Sequence, residues 1–188
     1  MPITAAPSGY MARTPTDQII DIGVLSYDVS GVDTVLGVSR GGLGFDPGID
    51  LHEQQYDGQR SPIVGGDRIS YRRATISGNM LQLGPEDHRI FEPAAGGTGS
   101  TPGTVLPKAA GISFVIGEYV KNLTLTFTRS GGGTVKYRFP YAICKKYGPI
   151  APKDNDEAEI SVNFEARLDR ADVANSDSTC PYTITYLD

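Results

Sequence analysis

Only two histidines, His52 and His88, and two cysteines, Cys144 and Cys180, are available for chemistry. Nucleophilic catalysis needs a base beside the nucleophile. Neither histidine neighbours a G-x-S-x-G elbow, and neither cysteine sits in a recognisable catalytic setting. His88 reads as an exposed or half-packed residue of a short helix. Gly96-Gly97-Thr98-Gly99-Ser100-Thr101 has the glycine content of a phosphate cradle, but no G-K-[ST] follows and no helix start is evident. It reads as a loop. Asp154, Asp156, Glu157 and Glu159 could offer hard oxygens to calcium. Their spacing is not that of an EF-hand, so a solvated acidic turn is the plainer reading. Asn122-Leu123-Thr124 has the form of a glycosylation sequon but falls inside an expected strand. The expectation is a protein that is not an enzyme and that needs no cofactor and no metal.

The elements that must position these residues are strands. Glycine at 23 and proline at 13 exceed ordinary usage, yet 39% hydrophobic residues is too many for a disordered chain. A length of 188 residues fits one domain with a real core. Residues 1–18 read as a flexible N-terminal arm and 19–188 as a single β domain. A first strand is expected over 19–29 and a second over 35–39, joined by a turn around Gly31. From Ile69 the odd positions are apolar, whereas Ala74, Ile76 and Met80 are even, which predicts a β-bulge at Arg72-Arg73. Gly84-Pro85-Glu86-Asp87 is a helix start, and Pro93 ends that helix by about residue 92. Residues 94–110 form a flexible surface loop.

The second half alternates plainly. Strands are expected over 112–117, over 123–128 and over 135–141, with Val135, Tyr137, Phe139 and Tyr141 on one side. Ile160, Val162, Phe164, Ala166 and Leu168 then face one way, opposite Ser161, Asn163, Glu165, Arg167 and Asp169. A last strand carries Tyr182, Ile184 and Tyr186. The fold class is therefore mainly β: a two-sheet sandwich or partial barrel, with one short flanking helix and a long hairpin-like loop. No signal-peptide-like segment opens the chain and no apolar run approaches 18 residues, so a cytoplasmic protein with free thiols at Cys144 and Cys180 is expected.

The stretch that starts at Gly41 says most about function. Between its glycine-spaced entry and the strand from Ile69 lies a long connection, 46–68, punctuated by Pro47-Gly48, Asp57-Gly58, Pro62 and Gly65-Gly66. Compact domains seldom keep so long a connection without a use for it. Its Ile49, Leu51, Tyr56, Ile63 and Val64 are too apolar for a segment meant to stay solvated. An arm or long hairpin that folds against something is expected.

Phe45-Asp46-Pro47, the run Tyr56-Asp57-Gly58-Gln59-Arg60-Ser61-Pro62-Ile63-Val64-Gly65-Gly66-Asp67-Arg68 and the return Ala74-Thr75-Ile76-Ser77-Gly78-Asn79-Met80-Leu81 resemble the major tail tube proteins of long-tailed bacteriophages. So do Phe164-Glu165-Ala166-Arg167-Leu168-Asp169 after an acidic loop and the closing run 181–186. Residues 1–18 and 94–110 are not covered by this resemblance. It implies a structural virion protein, made in the host cytoplasm and placed in the tail. Six copies would form a ring whose inner sheets line a lumen that passes DNA, and rings would stack into a tube. The implied partners are further copies of itself and the tape-measure, tail-tip and terminator proteins, with no membrane.

For contact between copies the residues singled out are Tyr56, Asp57, Arg60, Ile63 and Arg68; for the lumen, Asn163, Glu165 and Arg167. A net charge of −5 argues against a clamp on DNA, and an acidic wall would let phosphates slide past. Other readings are a capsid decoration or head–tail joining protein, or the tube of a secretion or contractile apparatus. A carbohydrate-binding sandwich belongs to a different class, and the absence of tryptophan weighs against it.

Overall fold

The computed structural model describes residues 19, 23–29, 31–37, 39–53, 61, 64–81, 90–91, 109–111, 113–149, 159–175 and 179–187. The strands are β1 (Val24–Val29), β2 (Val32–Val35), β3 (Ser39–Asp46), β4 (Ile49–Glu53), β5 (Asp67–Arg72), β6 (Thr75–Met80), β7 (Val120–Thr128), β8 (Thr134–Tyr147), β9 (Ile160–Arg167) and β10 (Thr183–Leu187). One sheet runs β2-β1-β7-β8-β9-β6-β3, with β10 also paired to β8, and β4 and β5 form a separate two-stranded ribbon. Every described pairing is antiparallel. The expected N-terminal arm, the lead-in of the helix (84–89), most of the 94–110 loop, His88 and three of the four clustered acids lie outside the described residues. Ile90 and Phe91 are helical, as expected there, and Phe91 is fully buried.

The long sheet becomes two layers because β8 changes face halfway. Val135 and Phe139 point into the core from its first half, whereas Ala142 and Cys144 do so from its second. The switch falls at Pro140, which has no N–H for the ladder, opposite Asn122, which sits at φ 51. Tyr141 therefore leaves the side it was expected to share with Phe139 and lies half-buried on the outer face. Asn122 is held in its left-handed conformation by two partners. Its Nδ2 donates to Asp28 Oδ2 at 3.0 Å, and its Oδ1 accepts from Arg138 Nε at 3.1 Å. The Asn122 bond, followed by the Gly31 N–H, lowers the pKa of Asp28. The sequon amide is thus engaged inside the fold.

One layer holds β2, β1, β7, the first half of β8, and β10; the other holds the second half of β8, β9, β6 and β3. They meet face to face through aromatic rings. Phe45 of β3 stacks on Tyr137 of β8, centroids 4.4 Å apart, and meets Tyr182 edge-on at 5.2 Å. Phe91 packs against Tyr147 and Phe164 from the side. Ile160, Val162, Phe164 and Ala166 all face the core, as their alternation requires. Leu123, Leu125 and Phe127 do the same from β7. The architecture is a β-sandwich, mainly β as expected. Neither cysteine is in a disulfide; Cys144 is buried and Cys180 exposed.

Three local expectations need correction. No strand covers 112–117 among the described residues; the chain makes a 3-10 turn at Ile116–Glu118. The Glu118 carboxylate accepts the Val115 N–H at 2.8 Å, a side-chain cap that competes with strand pairing. Phe114, Val115 and Ile116 are consequently exposed. The bulge expected at Arg72-Arg73 is not there, because Asp46↔Thr75 and Ile49↔Arg72 keep one register. The shift sits between Asp50 and Leu51, where Ser70 is the extra residue. The first two strands also start and stop elsewhere: Ile19 makes only an isolated bridge to Arg129, and residue 39 opens β3 instead of closing β2.

Candidate functional site

The residues singled out from the sequence fall on two surfaces where they are described: the β4–β5 ribbon and the outer face of the layer around β9. The ribbon prolongs β3 and β6 beyond the edge of the sandwich. Both strands are interrupted at one level, Pro47-Gly48 on one side and Arg73-Ala74 on the other. Gly48, at φ 51, takes Asp46 Oδ1 on its N–H at 2.9 Å and gives its carbonyl to the Arg73 N–H at 2.7 Å. Ala74 is tied to the body, its carbonyl accepting from the Ala166 N–H at 2.9 Å. A defined kink thus joins the ribbon to the sheet.

Beyond the kink nothing is buried. Every residue of β4 is exposed, and so is every residue of β5 except half-buried Arg72. Register sorts the side chains. Leu51 lies directly opposite Ile69 and Ile49 opposite Arg72, so Ile49, Leu51 and Ile69 share one face. Glu53 opposite Asp67 closes that face at its far end. Asp50 with Tyr71, and His52 with Arg68, occupy the reverse face.

The Ser70 bulge makes this arrangement, since without it Leu51 would oppose Ser70. Its hydroxyl donates to the Asp50 carbonyl at 3.1 Å. Arg73 stands over the Tyr71 ring at 5.0 Å and so braces the reverse face. Leu51 is 62% exposed, and its neighbours Ile49 and Ile69 on the apolar face are 44% and 45% exposed. The ribbon thus presents an exposed aliphatic stripe on one face.

Of the five residues singled out for contact, Arg68 lies on this ribbon, exposed, on the reverse face. Tyr56, Asp57, Arg60 and Ile63 lie outside the described residues. Sequence patterning does not single out Ile49, Leu51, Ile69 and Tyr71 as site residues. Their signal was present as excess apolar character, but pairing them needs the Ser70 register shift, which periodicity does not show.

The outer face of the β3-β6-β9 layer is polar. Asn163 of β9 is half-buried between Ser77 and Lys146, its cross-strand neighbours. Ser161 Oγ donates to Asn79 Oδ1 at 2.8 Å, and Asn79 Nδ2 donates to Glu159 Oε2 at 3.3 Å. Glu159 also pairs with Arg40 at 3.4 Å. Glu165 is only 4% exposed although it faces outward. Lys145, the extra residue of a bulge in β8, reaches it at 3.0 Å, and Arg167 bonds its other oxygen. Burial pushes the Glu165 pKa up, but the Lys145 and Arg167 bonds outweigh it and the net shift is down. Beside them the Tyr141 hydroxyl bonds to Asp169, which raises the tyrosine pKa. The three residues chosen for the lumen thus share one sheet face, with Glu165 covered by its own cations and Arg167 half-buried.

Glu165 carries a pH prediction. A depressed carboxylate pKa stabilises the fold above the ordinary value of 4.5, and that contribution is lost as pH falls through the folded-state value. Glu165→Gln is expected to cost about 1–2 kcal/mol at pH 7, discounted because both cations reach water. The gap from the unsubstituted protein should close as pH falls below 4.5, read by chemical denaturation at each pH. A gap that stays constant with pH would contradict it.

Among the described residues no three metal-ligating side chains converge, and no helix is long and apolar enough to cross a membrane. No family model and no curated protein matches the chain. Among solved structures, the chain is similar to the tail of an empty GTA particle with C6 symmetry, at 13% identity over 88% of this chain and 95% of that one, with a TM-score of 0.35.

Proposed function

We propose that this protein is a structural subunit of a tail tube, not an enzyme: copies assemble into rings, six to a ring, that stack around a channel for DNA. The observation that carries the reading is the β4–β5 ribbon, which stands off a finished sandwich with an uncovered aliphatic face. A catalytic or sugar-binding module has no use for such a projection, whereas a building block needs one. The tail-tube resemblance falls on the same segment, with Tyr56, Asp57, Arg60 and Ile63 beyond its described strands and Arg68 upon it.

The polar layer is the proposed channel wall. Its small and amide side chains, Ser77, Asn79, Ser161 and Asn163, and the pairing of Lys145 and Arg167 with Glu165 leave phosphates little to grip beyond exposed Lys146. DNA would pass without binding, in line with the net charge of −5. Tape-measure, tail-tip and terminator proteins are the proposed partners at the tube's inside and ends, and the virion tail is its proposed location after assembly in the host cytoplasm.

Sedimentation of the purified chain over a concentration series tests the assembly. Species far heavier than the protomer, growing with concentration, are expected. A single 20.1 kDa species throughout would overturn the proposal.

A further inference from the structure

We infer that the aliphatic face of the β4–β5 ribbon docks on the β10 edge of a second copy, Ile184 and Tyr186 beneath its aliphatics and Arg129 answering its acidic end. This rests on the tail-tube reading above and names the surface that the ribbon meets. The ribbon's face has a specific chemistry. Ile49, Leu51 and Ile69 are followed by Glu53 and Asp67, two acids directly opposite each other. Like charges facing each other across a ladder are unfavourable unless a cation joins them. Neither acid has an ion pair to a described residue. The matching surface must therefore be apolar and flanked by positive charge.

Besides the ribbon and the singly exposed Ile19, Val24 and Val64, exposed apolar side chains group at three places among the described residues. Val32 and Val35 of β2 flank Asp33, which lies opposite Asp28. The shoulder at Phe114, Val115 and Ile116 sits beside Glu118. Both put acids where the ribbon already has two.

The third patch is β10. It pairs with β8 on one side only, and Ile184 and Tyr186 are 45% and 66% exposed. Arg129 stands over the Tyr186 ring at 6.0 Å and donates from Nη2 to the Leu187 carbonyl at 3.5 Å. Arg138 and Lys136 lie opposite Thr183 and Thr185. Ile184 and Tyr186 share the face of Tyr137 and Val135, where Arg129 is the flanking cation, and Arg138 and Lys136 lie on the reverse face. Apolar side chains with a cation at one end complement the ribbon.

The contact joins two different patches, so it propagates from copy to copy, closing into a ring or continuing as a filament.

The test uses full-length chain carrying Cys180→Ser, which removes the exposed thiol and leaves Cys144 buried. Leu51→Cys is made in one batch and Ile184→Cys in another, and the two are mixed under mild oxidation. A disulfide-linked dimer is expected from the mixture and from neither batch alone. Adding Glu53→Lys and Asp67→Lys to the first batch is expected to lower its yield at least tenfold. Assemblies that form without the mixed dimer overturn the docking and leave the tail-tube reading standing. A dimer from a single batch shows like patches meeting, and a yield untouched by the charge reversal removes Arg129; each overturns the docking. Failure of the unsubstituted chain to assemble at all overturns the tail-tube reading and the docking with it.

Discussion

Replacing Leu51 and Ile69 together by threonine is expected to abolish assembly while leaving the protomer's melting temperature nearly unchanged. Both side chains are exposed and lie opposite each other, so the folded protomer loses little burial when they shrink. Threonine is β-branched, as Ile69 already is and Leu51 is not, and strands favour that shape, so the ribbon itself should persist. Between copies the balance differs. Burying one large aliphatic side chain contributes roughly 1.5–3 kcal/mol. Losing most of two such terms at each contact weakens association by roughly a hundredfold or more, repeated at every contact in a polymer. Sedimentation reads the loss of large species and thermal unfolding reads the protomer. A fall of many degrees in melting temperature would show that these side chains pack on their own body.

Gly48→Ala is expected to act on the same process from the other end of the ribbon. A Cβ at Gly48 would lie 2.1 Å from the Arg73 carbonyl oxygen and 2.6 Å from its carbon, both backbone atoms. Backbone cannot swing aside as a side-chain tip can, and φ 51 already disfavours any residue with a Cβ. Relief requires the two strands to part at the kink, losing the bond from the Arg73 N–H to the Gly48 carbonyl. The cost is about 2 kcal/mol or more, a factor of roughly 30 in the equilibrium between held and released ribbon. The sandwich should survive, because Ala74 is anchored separately to Ala166. Amide exchange in β4 and β5 should accelerate by that factor while the β7–β8–β9 core keeps its protection. Assembly should fail, since the ribbon no longer projects at a fixed angle. Unchanged exchange in the ribbon together with normal assembly would show that the kink has no such role.

Much of the sandwich was legible in the residues. The alternation of 160–166 and 123–127 placed Ile160, Val162, Phe164, Leu123, Leu125 and Phe127 inside, because a strand with one buried face imposes period two. That rule failed at Tyr141. It assumes one flat strand, and β8 turns its face at Pro140, where the proline itself was the overlooked warning. At 112–117 the apolar alternation was real but too short to outweigh the Glu118 cap.

The candidate site was legible as a segment but not as a surface. Excess apolar character between Pro47 and Arg68 marked an arm. Which residues share a face depends on Ser70, a single inserted residue in a ladder, and one-residue shifts leave no compositional trace. The burial of Glu165 was equally invisible, because it depends on Lys145 arriving from the bulge in β8.

Electron microscopy of the purified full-length chain at high concentration tests the central claim most directly: the ribbon turns a finished sandwich into a self-assembling unit. Hollow rings or tubes of uniform width are the result the account predicts. A field of separate, single-sandwich particles, with no ring or filament at any concentration, would contradict it.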